Sequence, residues 1–148
     1  MARTQFDRTY DDLLRLSDGG LITADAVTLV DGAAAILDLG SSRFDGTLIL
    51  DAAVVEVASG DEVCFYALEF SNSASFASGI VQGPGIYLGD AAPTTMGNAD
   101  TDNGAGRYEV GFTNEFPGGT IYRYVRLNQN FTGTIDTGFN VVAYIVKR

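Results

Sequence analysis

The 148-residue sequence contains no histidine and no tryptophan. Histidine is the commonest general base and the commonest metal ligand, so its absence excludes serine–histidine and cysteine–histidine nucleophile systems within the chain. It also excludes zinc sites built from cysteine and histidine. The lack of tryptophan weakens a glycosidase interpretation, which needs aromatic sugar platforms beside two facing carboxylates. We therefore expect no enzymatic activity, no catalytic residue, no metal site and no cofactor.

Cysteine and long apolar runs are also lacking. The single cysteine, Cys64, rules out an internal disulfide framework and suits a reducing compartment. Its strand face also carries Tyr66, Leu68 and Phe70, which predicts a buried, inert thiol. No apolar stretch approaches the roughly 20 residues of a membrane helix, and the first residues do not read as a signal peptide. We expect a soluble protein with no membrane partner.

Basic residues are scarce. The chain has 9 Lys and Arg residues against 19 Asp and Glu residues, and its formal net charge is −10 at pH 7. A protein that binds the phosphate backbone needs clustered Lys and Arg to displace counterions, so the composition argues against a nucleic-acid partner. Solubility explains the acidic surface more simply than steering towards a basic partner does.

What the sequence does contain is a dense series of short apolar runs separated by Gly, Asp, Asn, Thr and Ser. This punctuation is typical of strands and turns, and it predicts an all-β, jelly-roll-like antiparallel β-sandwich. We assign residues 21–148 to the sandwich and residues 1–20 to an extended N-terminal arm. The predicted strands are 21–23, 28–30, 36–39, 47–57, 63–71, 79–82, 85–88, 107–114, 120–128, 132–136 and 139–146.

Two connections carry specific expectations. Residues 59–62 have the composition of a hairpin turn between strands 47–57 and 63–71, and Asp61 and Glu62 within them are expected to be solvated. Gly83-Pro84-Gly85 is also expected to be a turn.

Helix signals are weak. The best candidate, 9–16, ends in a segment whose pattern equally predicts a short strand.

The N-terminal arm is polar but carries four residues that suit a binding segment: Arg3, Phe6, Arg8 and Tyr10. Two interpretations remain open at this point. The arm orders on a partner, or it is an ordinary frayed terminus.

Several predicted strands are apolar on both faces. In strand 139–146, Phe139, Val141 and Ala143 alternate with residues that include Val142 and Tyr144. The outer face of a simple sandwich should be polar, so this pattern needs an explanation. Either loops or the arm cover the outer face, or it is an interface with other copies or with a partner.

Tyr122, Tyr124 and Arg126 are predicted to share one face of strand 120–128. Tyr and Arg are enriched in interfaces, so these three residues complete our set of candidate partner-binding residues. Alternatively, the arginines of this strand pair with Glu109 or Asp136 on neighbouring strands.

Residues 100–104 (Asp-Thr-Asp-Asn-Gly) look like the start of a calcium loop. The EF-hand pattern needs an oxygen ligand at its fifth position and Glu at its twelfth, where this chain has Gly104 and Gly111. A turn rich in Asx and Gly explains the segment better. The surrounding stretch, 89–106, is the longest without predicted structure and is a candidate contact loop.

The order and spacing of the segments resemble those of the capsid cement, or decoration, proteins of tailed bacteriophages. The likeness covers nearly the whole chain, although no single motif is specific. The matching stretches are Asp12-Leu-Leu14-Arg-Leu16-Ser17, Ile36-Leu-Asp38-Leu-Gly40, a strand opened by Gly46, Leu68-Glu-Phe70-Ser71, Leu88-Gly89-Asp90, Arg107-Tyr-Glu109, Phe112-Thr-Asn114, Arg123-Tyr124-Val-Arg126-Leu127, Gly133-Thr-Ile135 and Ala143-Tyr144-Ile145.

This resemblance implies a non-enzymatic jelly roll that is made in the host cytoplasm and sits on the capsid exterior of the virion. There it would form a homotrimer and bridge neighbouring major capsid proteins, without a cofactor. The alternative is a carbohydrate-binding jelly-roll module of a phage fibre or lectin type, suggested by the loop at Asp100–Asn103. An enzyme that uses carboxylates alone is the third and weakest reading.

Overall fold

The computed structural model describes residues 14–91 and 104–148. Within these two ranges the chain forms thirteen β-strands and no α-helix. The strands are β1 (Arg15–Ile22), β2 (Ala26–Val27), β3 (Leu29–Val30), β4 (Ala33–Ala34), β5 (Leu37–Asp38), β6 (Asp45–Val54), β7 (Val63–Ser71), β8 (Val81–Leu88), β9 (Gly106–Thr113), β10 (Glu115–Phe116), β11 (Thr120–Ile121), β12 (Tyr124–Thr132) and β13 (Phe139–Lys147).

The long strands form two sheets in which every pair is antiparallel. Sheet A has the strand order β1–β13–β6–β9, and sheet B has the order β2–β12–β7–β8. Strand β5 also pairs with β12 in sheet B, while β3–β4 and β10–β11 are separate short hairpins.

Apart from the short hairpin β3–β4, each strand of the first half of the chain pairs with a strand of the second half. Strand β1 pairs with β13, β2 and β5 pair with β12, β6 pairs with β9, and β7 pairs with β8. The chain is therefore one long antiparallel hairpin, with its tip between β7 and β8, rolled into two sheets. This winding confirms the predicted all-β, jelly-roll-like sandwich.

The two sheets share one hydrophobic core because strand alternation turns one face of each long strand inwards. Leu127 of β12 lies opposite Leu68 of β7, and Ala143 of β13 lies opposite Leu50 of β6. All four side chains are fully buried. Around them, aliphatic and aromatic residues of both sheets complete the core, among them Leu16, Leu48, Tyr66, Phe70, Leu88, Val125, Phe139 and Ile145.

The predicted hairpin between β6 and β7 is wrong. Strand β6 pairs within sheet A and β7 pairs within sheet B, so the connection at 55–62 crosses from one sheet to the other. The connection at 133–138 crosses back from β12 to β13 beside it. Turn composition specifies where a chain reverses, but not which sheet the next strand joins.

Gly83-Pro84-Gly85 is not a turn, because it lies inside strand β8. The register between β7 and β8 shifts at this point, between Ala67 and Glu69, which marks a bulge. A β-carbon at Gly85 would meet the carbonyl oxygen of Tyr66 and come within 2.7 Å of the Phe65 ring. Glycine is therefore needed for the close approach of the two strands, and Pro is tolerated because β8 is an edge strand.

Other predicted boundaries also shift. Strand β7 has the predicted bounds, but the predicted strand 132–136 is mostly connection and the predicted strand 120–128 breaks into β11 and β12. Strand β1 begins at Arg15 and pairs with β13, so residues 15–20 belong to the sandwich and not to the arm. Of the candidate helix at 9–16, Arg15 and Leu16 are in β1, and residues 9–13 lie outside the described residues.

We expect Gly85→Ala to destabilise the fold by about 1–3 kcal/mol, because the new methyl group would overlap the backbone of β7 and force the two strands apart. Gly106→Ala is the matched control in the edge strand β9, where a β-carbon meets nothing within 4 Å. Its effect should stay within about 0.5 kcal/mol. Denaturant unfolding of both variants measures the difference, and equal effects would contradict the close-approach explanation.

Candidate binding surfaces

The outer face of sheet A carries exposed apolar side chains where β1, β13 and β6 lie side by side. Leu21 and Val54 both lie opposite Asn140 in the register, one on each side, and they are 58% and 39% exposed. We call Leu21 and Val54, which lie on the strands either side of β13, the sheet A patch. Exposed apolar residues brought together on one face suit an interaction surface.

Further along the same outer face, apolar residues are buried. Ile49 of β6 and Tyr144 of β13 lie opposite each other and are only 2% and 8% exposed. The prediction that these strands are apolar on both faces is therefore confirmed. On this face, therefore, some apolar residues are buried and others, those of the sheet A patch, are exposed.

The three candidate residues around β12 do not share one face. Tyr124 and Arg126 point outwards from β12, but Tyr122 precedes the strand, because the chain leaves the extended pairing at residues 122–123. The Tyr122 ring packs edge-on against Phe116, with ring centroids 5.1 Å apart. Its backbone is held by Asn114, whose main-chain oxygen accepts from Tyr122 N at 2.9 Å. The prediction of a common face is wrong for Tyr122.

The arginines of this segment pair within the chain, but not with the carboxylates named in the alternative interpretation. Arg126 Nε donates to Glu69 Oε1 at 2.8 Å, and Arg123 makes two hydrogen bonds of 2.9 Å to Asp38. Pairing with Glu109 or Asp136 is wrong for both. The reason is topological: β12 lies between β7, β2 and β5 in sheet B, whereas Glu109 belongs to sheet A.

Arg126 is also covered by the connection between β7 and β8. Phe76 of this connection is 5% exposed, and the Arg126 guanidinium lies 4.4 Å from the centroid of its ring. Phe76 has φ 56°, in the left-handed region, which is uncommon for a bulky residue. Such strain costs about 1–3 kcal/mol and persists only when the surroundings enforce it. Here the buried ring and the cation–π contact do so.

The four candidate residues of the N-terminal arm lie outside the described residues: Arg3, Phe6, Arg8 and Tyr10. The loop at Asp100–Asn103 also lies outside them.

Two carboxylates join the neighbouring connections that cross between the sheets. Glu56 accepts hydrogen bonds from the backbone NH groups of Asp136, Thr137 and Gly138, at 2.7–3.1 Å. Asp61 accepts from the NH and the hydroxyl of Thr134, each at 3.0 Å. We call this joined pair of connections, 55–62 and 133–138, the clamped end of the sandwich.

Glu62 completes the same end, and its placement overturns an expectation. We predicted Asp61 and Glu62 to be solvated, but Glu62 is fully buried. Its carboxylate accepts from the backbone NH groups of Ser59 and Gly60. Its main-chain oxygen accepts from Ala91 N at 3.0 Å, which ties in the connection after β8. The turn that precedes Glu62 therefore supplies the hydrogen-bond donors that its buried carboxylate needs.

The backbone hydrogen bonds have an electrostatic consequence for Glu56, which is only 4% exposed. The NH group of Gly138 is the largest of the influences that lower its pKa below the ordinary 4.5, and the other NH groups add to it against the opposing effect of burial. At neutral pH the Glu56 carboxylate at the clamped end is therefore ionised.

Charge is distributed unevenly between this end and the rest of the molecule. The described residues of the connections at this end, 23–25, 55–62, 89–91 and 133–138, contain no Lys or Arg. Elsewhere, Arg15, Arg43, Arg107, Arg123 and Arg126 each pair with a carboxylate. The carboxylates at this end are Asp25, Glu56, Asp61, Glu62, Asp90 and Asp136.

Metal-binding side chains and the one cysteine can be examined in the part of the chain that the structure describes. Residues 14–91 and 104–148 contain no cluster of three His, Cys, Asp or Glu side chains able to hold a metal ion. Nor do they contain a helix long and apolar enough to cross a membrane. Cys64 is buried, as predicted, and burial raises the pKa of its thiol to about 12, so the reactive thiolate is not formed at neutral pH.

Comparison of the sequence with models of known protein families and with curated proteins found no match to either. Function is therefore argued from the fold and from the surfaces described above.

We expect Glu56→Gln to reduce the dependence of stability on acid pH. Because the pKa of Glu56 is lower in the folded chain, its contribution to stability is complete above pH 4.5 and is lost as the pH falls through the folded value. Unfolding midpoints measured from about pH 6 down to about pH 3 should fall less steeply for this variant.

The matched control is Asp136→Asn, which removes an exposed carboxylate from the same connection while leaving its backbone NH to Glu56. This variant should keep the pH slope that Glu56 contributes. If Asp136→Asn flattened the slope and Glu56→Gln did not, the clamp would not be the source of the acid sensitivity.

Proposed function

We propose that this chain is a non-enzymatic structural protein that binds the outer surface of a phage capsid, as capsid cement proteins do. It forms a homotrimer, bridges neighbouring major capsid proteins and thereby stabilises the shell. It is made in the host cytoplasm and is located on the capsid exterior of the virion. Its partners are its own copies and the major capsid protein, and its role requires neither nucleic acid nor a membrane.

The observation that carries the proposal is the sheet A patch. Leu21 and Val54 flank Asn140 and expose aliphatic surface at one end of the outer face of sheet A. The Asn140 side chain already makes a hydrogen bond within the chain, since its Oδ1 accepts from Gly20 N at 2.9 Å. Exposed aliphatic side chains of this kind are the groups that copies of a protein bury against one another. We assign the patch to contact between copies.

The fold agrees with this assignment. The resemblance to cement proteins rests on the order of segments along nearly the whole chain and implies a jelly roll, which is the winding that the strand pairing has. Fold alone does not define function, because jelly rolls serve many roles. The support is therefore the combination of the winding, the patch and the absence of histidine.

The first test is the oligomeric state. We expect a species of three times the 15.7 kDa chain mass by light scattering at micromolar concentration. Leu21→Asp combined with Val54→Asp should weaken association about tenfold to a hundredfold, because each change places a charge where an apolar side chain is buried on assembly. Ile80→Asp is the control: it alters an equally accessible aliphatic side chain, 42% exposed, beside sheet B.

A strictly monomeric wild-type protein at this concentration would contradict trimer formation. Equal weakening by Ile80→Asp and by the double variant would contradict the assignment of the sheet A patch.

The second test is binding to the shell. The wild-type protein should co-sediment with expanded, undecorated capsids of a tailed phage that encodes it beside its major capsid protein gene. Unexpanded capsids serve as the comparison. Failure to bind expanded capsids, for a protein shown to be trimeric, would overturn the capsid role while leaving the trimer intact.

A further inference from the structure

A small open cavity lies at the end of the sandwich opposite the clamped end. Its volume is about 400 Å³, and it lies on the surface between the β7–β8 connection and the segment that links β10 to β12. The lining residues are Asn72, Ser73, Ser78, Gly79, Thr120 and Tyr122.

The chemistry of this lining is uniform, because every residue is uncharged and most are polar. The hydroxyl groups of Ser78, Thr120 and Tyr122 take part in no hydrogen bond with residues 14–91 or 104–148. The guanidinium of Arg123, the residue after Tyr122, is bound to Asp38 through two hydrogen bonds. The cavity therefore offers hydroxyl groups and one half-buried aromatic ring without offering a charge.

The walls of the cavity are held in place before any ligand arrives. Asn72 bridges them: its Nδ2 donates to Ile121 O at 3.2 Å, and its Oδ1 accepts from Arg123 N at 2.9 Å. Ser71 Oγ donates to Ser78 O at 2.8 Å and fixes the other side of the connection. The packing of Tyr122 on Phe116 sets the ring orientation. A rigid site of this kind loses little entropy on binding.

Phe76 lies at the centre of the same connection but does not line the cavity. Its buried ring lies 4.4 Å from the Arg126 guanidinium, and this contact fixes the course of the connection. Small residues make up the rest of the connection, which leaves the cavity open.

We propose that this cavity binds a neutral saccharide. A sugar presents hydroxyl groups to Ser78 and Thr120 and an apolar ring face to Tyr122, and it needs no charged partner. A volume of about 400 Å³ lies near the lower limit of small-molecule sites, which matches one or two sugar units. The chain's net charge of −10 disfavours acidic sugars. The site is separate from the sheet A patch, so its ligand and the capsid role are independent.

The test is a titration followed by amide NMR of the uniformly ¹⁵N-labelled full chain. The probes are glucose, galactose, N-acetylglucosamine, maltose and cellobiose, with glucuronate as the acidic comparison. At least one neutral sugar should cause saturable shifts in the amides of residues 72–79 and 120–122. Thr120→Val and Ser78→Ala should each raise the dissociation constant about tenfold, because each removes a hydrogen bond to the ligand.

Thr132→Val provides the matched control, since it makes the same change at the exposed end of β12, on the far side of the molecule. Its dissociation constant should equal that of the wild type. The absence of saturable shifts with every neutral sugar would overturn the proposal. So would shifts that lie elsewhere in the chain, or that survive both Thr120→Val and Ser78→Ala in variants whose remaining spectra are unchanged. None of these outcomes would alter the oligomeric mass that tests the capsid role.

Discussion

Each long strand of this protein depends on a partner that lies in the other half of the chain. Strand β1 makes its inter-strand hydrogen bonds with β13, and β6 makes its inter-strand hydrogen bonds with β13 and β9. Because most contacts join residues distant in sequence, neither half has a core of its own. The surfaces considered for binding inherit this constraint: the sheet A patch exists only because Leu21 and Val54 are brought to either side of Asn140.

The fold class could be predicted from the sequence because it depends on local signals. Strand β7 was located to the residue, since apolar alternation is strong over Val63–Ser71 and glycine and acidic residues precede it. The connection before it was misread, because the same turn composition suits a hairpin and a crossing between sheets. Gly83 and Gly85 were misread for a different reason. Glycine in a strand reflects the closeness of a neighbouring backbone, which the strand's own sequence does not reveal.

The candidate surfaces were predictable only in part. The apolar pattern of β13 correctly indicated residues on both faces, but it could not tell that Tyr144 would be buried while Val54 on β6 stayed exposed. The residue type of Arg126 suggested a side chain that contacts a partner, but its guanidinium donates to Glu69 and lies over the Phe76 ring. Glu62 looked solvated because acidic residues in turns usually are, and only the folded chain shows the two NH groups that hold it. In each case the decisive partner is remote or depends on backbone geometry.

The clamped end has a consequence for how copies of this molecule can be arranged. Within residues 14–91 and 104–148, its Glu56 and Asp61 carboxylates accept hydrogen bonds from backbone NH groups and make no ion pair with Lys or Arg, so they give this end a negative potential. Two copies that met end to end through this region would repel each other unless salt screened them. A closed ring, in which all copies point the same way, avoids that contact and gathers the charge on one side. Such an assembly would have two chemically distinct faces, and its negative face would repel other polyanions from the solvent.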